Sequence, residues 1–186
     1  MLHHRPFRLS LVLLLAACGG GGDDAPAPAN PGGNNPPPVA NATCGLSDFS
    51  VRVLARVNQW RASGADCGAQ GNFGPAPALA WNNALTEAAA AHSQDMATNN
   101  FFSHTGSNGS TLAQRVNAAG YGWSSLGENI AAGQTGVNQV VDGWIASDGH
   151  CANIMNPAFV DIGVACVPGT AGAAYPTYWT MDLGRP

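Results

Sequence analysis

The sequence predicts a mixed α and β domain, and three observations lead there. Apolar residues recur at helical spacing in four segments between Phe49 and Ile145. Three further segments are short, extended and rich in β-branched or aromatic residues. The stretch from Cys44 to Pro186, which holds all of them, is long enough for one domain with a substantial core.

The elements follow in chain order. Phe49, Val53, Val57 and Trp60 share one helical face after Ser47 and Asp48, either of which can cap an N-terminus, and Gly64 ends the pattern. A second helix starts at the capping residue Asn82 and keeps Leu85, Ala88, Ala89, His92 and Met96 on one face until Asn99, Asn100 and Phe101. Thr111 and Gln114 have capping-box spacing ahead of Leu112, Val116 and Ala119, with Gly120 as a left-handed stop. Val137, Val140, Val141, Trp144 and Ile145 form a fourth amphipathic helix, expected to end just before a turn at Asp148-Gly149. The extended candidates are Ser125 to Ala131, Phe159 to Val167 and Thr177 to Leu183. In the last, Tyr178, Thr180 and Asp182 alternate with Trp179, Met181 and Leu183. They read as an antiparallel sheet covered by helices.

The N-terminus reads as an export signal. Arg5 and Arg8 precede an apolar run from Leu9 to Leu15, too short to span a bilayer, and Leu15-Ala16-Ala17-Cys18 resembles a bacterial lipobox. Residues 1–17 are therefore expected to be a lipoprotein signal peptide, with Cys18 lipidated as the mature N-terminus and membrane anchor. Residues 18–43, dominated by Gly, Pro, Asn and Ala, read as a disordered tether, because they offer too little apolar surface to offset the entropy of ordering. Gly19 after the cysteine resembles lipoproteins sorted to the outer membrane. Residues 44–186 form the folded domain.

Lysine is absent, and beyond residue 17 five arginines stand against eleven acids, a formal charge of −6. No basic stripe exists to replace phosphate counterions, which disfavours a nucleic-acid partner; a monomer is expected. Apart from Cys18, four cysteines in an exported chain suggest two disulfides. Of three pairings, Cys44 with Cys67 and Cys151 with Cys166 are favoured, since each brackets a local unit. The competing reading of Cys151, a metal-binding thiolate beside His150, would leave Cys166 single in an oxidising compartment.

Three segments carry the candidate chemistry: Phe101-Phe102-Ser103-His104, Gly127-Glu128-Asn129-Ile130, and Trp144 to Pro157 with its Gly149-His150 pair. A lone histidine is more often structural than functional, and His92, on a core face, reads as structural. Glu128 in a strand is costly to bury without a partner. His104 and His150 lie at element ends, where functional side chains concentrate.

In that order the three segments, with Tyr178-Trp179-Thr180 near the end, resemble the CAP superfamily of cysteine-rich secretory proteins, antigen 5 and pathogenesis-related family one, and its bacterial branch in particular. The likeness covers nearly all of residues 46–184. It implies a three-layer α-β-α sandwich with a central antiparallel sheet, and a cleft in which His104, Glu128 and His150 meet. Eukaryotic members carry a second glutamate three residues after the helix-four tryptophan; here that place is Ser147, which weakens mechanisms needing paired carboxylates.

Two imidazoles and a carboxylate suit zinc, with water completing the shell, although the paired histidines of a metalloprotease helix are missing. Ser147 lies three residues from His150 but outside any nucleophile elbow, so Glu128 and Ser147 are weak catalytic candidates. The expected function is a lipid-anchored envelope protein, of the outer membrane by its sorting residue, that is non-enzymatic and binds a small apolar or envelope-derived ligand. The alternatives are a metal-assisted hydrolase of peptide or wall material and a purely structural or adhesive module.

Overall fold

A computed structural model of the chain describes residues 42–186. The expected signal peptide, Cys18 and all of the tether except Ala42 and Thr43 lie outside the described residues. These two belong to the domain: Thr43 bridges Cys166, whose N–H donates to the Ala42 carbonyl at 2.8 Å.

The helices are α1 (Phe49–Ser63), α2 (Asn83–Asn99), α3 (Leu112–Ala118), α4 (Val137–Ile145) and α5 (Asp148–Met155). The strands are β1 (Ala65–Asp66), β2 (Asn72–Phe73), β3 (Ala80–Trp81), β4 (Ser125–Ala132), β5 (Asp161–Pro168) and β6 (Thr177–Arg185). β1 and β2 form a small hairpin; the main sheet runs β3-β5-β6-β4. Its three long strands are antiparallel as expected, whereas β3 joins β5 in parallel. At two residues, β3 is too short to show a period.

The sheet sits between two helical layers. Ile162, Val164, Met181, Leu183 and Trp179 face α1, α4 and α5 in the larger core, which Val53, Val57, Val141, Trp144 and Ile154 complete. The opposite face, with Ile130, Ala165, Val167 and Tyr178, packs on α2. There α2 comes so close that a Cβ at Gly163 would collide with the backbone of Leu85 and Thr86.

Local capping explains two helix starts. Asn82 accepts from Leu85 N at 3.2 Å, and the Thr111–Gln114 capping box is formed in both directions. The expected cap of α1 is different: Asp48 occupies the N-cap position with φ 50° and makes no side-chain cap bond. The expected Asp148-Gly149 turn is the first turn of α5, with Ser147 at its N-cap. That short helix is held from outside, since the Asp148 carboxylate accepts from Ala69 N at 2.9 Å and Cys151 is disulfide-bonded.

The disulfide pairing is also corrected. Cys44 bonds Cys166 and Cys67 bonds Cys151, across separations of 122 and 84 residues. Local bracketing failed because the domain's N-terminal lead lies along β5, and the turn after α1 lies against the start of α5.

Candidate functional site

Glu128 anchors the site from β4. One carboxylate oxygen takes His104 Nδ1 at 2.7 Å and the other takes Arg115 Nη2 at 2.6 Å. The Glu128 side chain is 4% exposed and that of Arg115 7%, whereas His104 is 58% exposed. Arg115 projects from α3 and is itself fixed, donating to the Ser110 and His104 carbonyls at 2.9 and 3.2 Å. Burial pushes the Glu128 carboxyl upward, but the His104 hydrogen bond and the Arg115 charge outweigh it and hold the group below the usual carboxylate range.

Behind Glu128 stands a second acid. Asp182 of β6 is directly opposite Glu128 in the register and is completely buried. Neither of its carboxyl oxygens accepts from a donor among the described residues, and in its protonated form the group donates to the Glu128 carboxylate. Burial and the adjacent negative charge of Glu128 drive its pKa well above the ordinary range, which favours the neutral acid at Asp182 and the anion at Glu128. His92 lies nearby on α2, fully buried, with Nε2 2.9 Å from the Ser103 carbonyl. Burial lowers its pKa. It supports the segment that carries His104.

His150 comes from the first turn of α5, which two asparagines stitch to β4. Asn129 Nδ2 donates to the His150 carbonyl at 3.0 Å, and Asn153 Nδ2 donates to the Glu128 carbonyl at 3.2 Å and to Asn129 Oδ1 at 2.9 Å. Neither ring nitrogen of His150 has a partner among the described residues. Burial, then the charge of His104, lowers its pKa and favours the neutral imidazole. The ring lines a cavity of about 350 Å³ walled by Phe102, Trp144 and Tyr175. Ser147 lines the same cavity, but no hydrogen bond joins its hydroxyl to His150, so no nucleophile and base are paired.

Of the three expected metal ligands, His104 and Glu128 are in direct contact and His150 lies on the neighbouring helix. With each Glu128 oxygen already taking one hydrogen bond and the side chain 4% exposed, the nitrogens left without a partner are His104 Nε2 and those of the His150 ring. This donor set suits a borderline divalent ion with water in its remaining positions, and it makes Glu128 the group that fixes the His104 tautomer. Among the described residues, no cluster of three or more His, Cys, Asp or Glu side chains is arranged around a common point.

Sequence reasoning missed Arg115, Asp182 and the two asparagines. Arg115 left a trace, as the one cation between Arg61 and Arg185. Asp182 was visible only as a polar position in an alternating strand, which suggests a solvent face rather than burial under α2.

The model of the CAP cysteine-rich secretory protein family matches residues 54–183. Two uncharacterised Bacillus subtilis proteins are similar over part of the chain. YkwD is 40% identical over 83 residues, covering 45% of this chain and 32% of its own. The membrane protein YlbC is 34% identical over 86 residues, covering 46% and 25%. The chain thus matches about a third or less of the length of these relatives. An extracellular Bacillus anthracis protein containing an SCP domain has a solved structure similar at TM-score 0.52 and 33% identity, covering 60% of this chain and 35% of that one. An outer surface protein of Borrelia burgdorferi shares the fold at TM-score 0.53 and 22% identity, covering 59% and 79%. With the family's pattern spanning α1 to β6 on the expected α-β-α frame, this chain belongs to the CAP family of cysteine-rich secretory proteins.

Proposed function

We propose that this protein works outside the cytoplasm as a ligand-binding CAP domain, held to the cell envelope through a lipidated Cys18, and that it is not an enzyme. The extracellular and outer-surface character of the similar Bacillus anthracis and Borrelia proteins supports the location, as do two disulfides in the fold. The observation that carries the function is the aromatic-walled cavity of about 350 Å³ opening beside His150, a size in the usual range for a small-molecule site. The ligand is a small apolar or envelope-derived molecule. A divalent ion such as zinc binds with modest affinity through His104 Nε2 and His150, oriented by Glu128. Hydrolysis is disfavoured because Glu128, held between His104 and Arg115 and 4% exposed, has its carboxyl below the usual range and is a poor, shielded base for activating water.

The test uses the full chain, with the apolar fluorophore 1-N-phenylnaphthylamine as one probe and zinc as the other. Fluorophore binding that Trp144→Ala weakens, and zinc binding that His104→Ala with His150→Ala abolishes, are the expected results. Zinc binding should fade as pH falls, because protonated imidazole cannot coordinate. Zinc-dependent turnover of casein or wall fragments, lost in a folded Glu128→Gln variant, would establish the metal-assisted hydrolase instead.

A further inference from the structure

The cavity beside His150 holds two features that neither metal binding nor apolar packing uses. The first is a break in the covering of the β4 edge. Gly133 N donates to Thr177 O, which sets the register so that odd-numbered residues of β4 pair with β6 and even-numbered ones turn their N–H and C=O to the open side. Along that side Asn153 covers the Glu128 carbonyl and the Trp144 indole covers the Ile130 carbonyl at 3.1 Å. Ala132 is next in the row. Its N–H and C=O have no partner among the described residues, and it lines the cavity.

The second feature is Gly143. It lies inside α4, exposed, and lines the same cavity as Ala132, and a Cβ there would meet nothing within 4 Å. A glycine in a helix interior costs about 1 kcal/mol relative to alanine, and no packing inside the protein requires it. What its missing side chain leaves open is the cavity.

We infer that this cavity binds the extended main chain of a peptide. One ligand residue exchanges both of its backbone hydrogen bonds with Ala132, adding a short strand to β4. A neighbouring apolar side chain lies against Trp144 and Val140, and the space left by Gly143 lets the ligand backbone pass close to α4. The inference rests on the cavity being the ligand site and names its ligand class. A peptide fits better than a purely apolar ligand because the free donor and acceptor of Ala132 match one amino-acid residue.

The experiment titrates the isotopically labelled full chain with the capped peptide acetyl-Ala-Ala-Leu-Ala-Ala-amide and follows the amide resonances. The expected result is a shift of the Ala132 amide and its protection from hydrogen exchange. A scan of single N-methylations should find one position that weakens binding at least tenfold. Gly143→Leu should weaken it at least tenfold without lowering the melting temperature. Peptide binding that survives every N-methylation, or is unchanged in Gly143→Leu, would overturn the inference. If the peptide fails while 1-N-phenylnaphthylamine binds, the peptide class is wrong and the apolar-ligand reading survives. If neither binds, both fall.

Discussion

Asp182 makes a sharp statement at the scale of single residues. A buried carboxyl that no donor reaches is costly to ionise, and Glu128, favoured as an anion by His104 and Arg115, makes it costlier. The native state therefore holds the Asp182 proton to higher pH than the unfolded chain does. Its effect on stability is least unfavourable below the unfolded value near 3.9 and worsens as pH rises above it. Glu128, with its pKa lowered, contributes in the opposite sense: its stabilisation is present above the unfolded value and lost as pH falls through the native one. Asp182→Asn removes only the first effect. The variant should be more stable than the wild type at pH 7, by an amount that shrinks as pH falls towards 4, in denaturant melts across that range. A difference independent of pH would mean that Asp182 does not titrate as described. Glu128 and both histidines stood out in the sequence as candidates because their types and neighbours are distinctive. Asp182 did not, since strand alternation tells which residues share a face but not which face is covered.

Between elements, Arg61 shows what propensity cannot reveal. It sits in the last turn of α1, fully buried, and faces no carboxylate. Its guanidinium donates to the carbonyls of Pro77, Ile154, Asn156 and Phe159 at 2.6–3.2 Å, which closes the C-terminal end of α5 and the loop leading to β5. α5 is short and contains Gly149, so its stability comes from such attachments rather than from its own residues. This is also why Asp148-Gly149 looked like a turn. By contrast α2 and α3 were legible almost to the residue, because Asn82 and the Thr111–Gln114 box mark their starts locally. Arg61→Met keeps much of the apolar stem but leaves several buried carbonyls unpaired. It should cost about 3 kcal/mol or more in urea denaturation, and loosening of α5 should appear as faster hydrogen exchange around Cys151 to Met155. A cost under about 1 kcal/mol would show that water replaces the guanidinium freely.

Over the whole molecule, the two disulfides join points that no local pattern connects. Cys44–Cys166 ties the chain's entry into the domain to β5, and Cys67–Cys151 ties the turn after α1 to α5, the helix that carries His150. Loops this long restrict the unfolded chain by about 4 to 5 kcal/mol each in the chain-entropy model, with about 2 to 4 kcal/mol the usual measured effect. Single domains are stable by about 5 to 15 kcal/mol, so either bond is a sizeable share. The two should nonetheless be separable by function. Removing Cys44–Cys166 with paired serine substitutions should lower the urea midpoint by about 1 to 2 M, taking a slope of about 2 kcal/mol/M, while zinc affinity in the folded protein stays unchanged. Removing Cys67–Cys151 should lower the midpoint similarly and also weaken zinc, because α5 then loses the covalent bond one residue from His150. Peptide mapping without reduction verifies the pairing first, and equal zinc affinity in both variants would show that the Asn129–Asn153 stitch alone suffices to place His150.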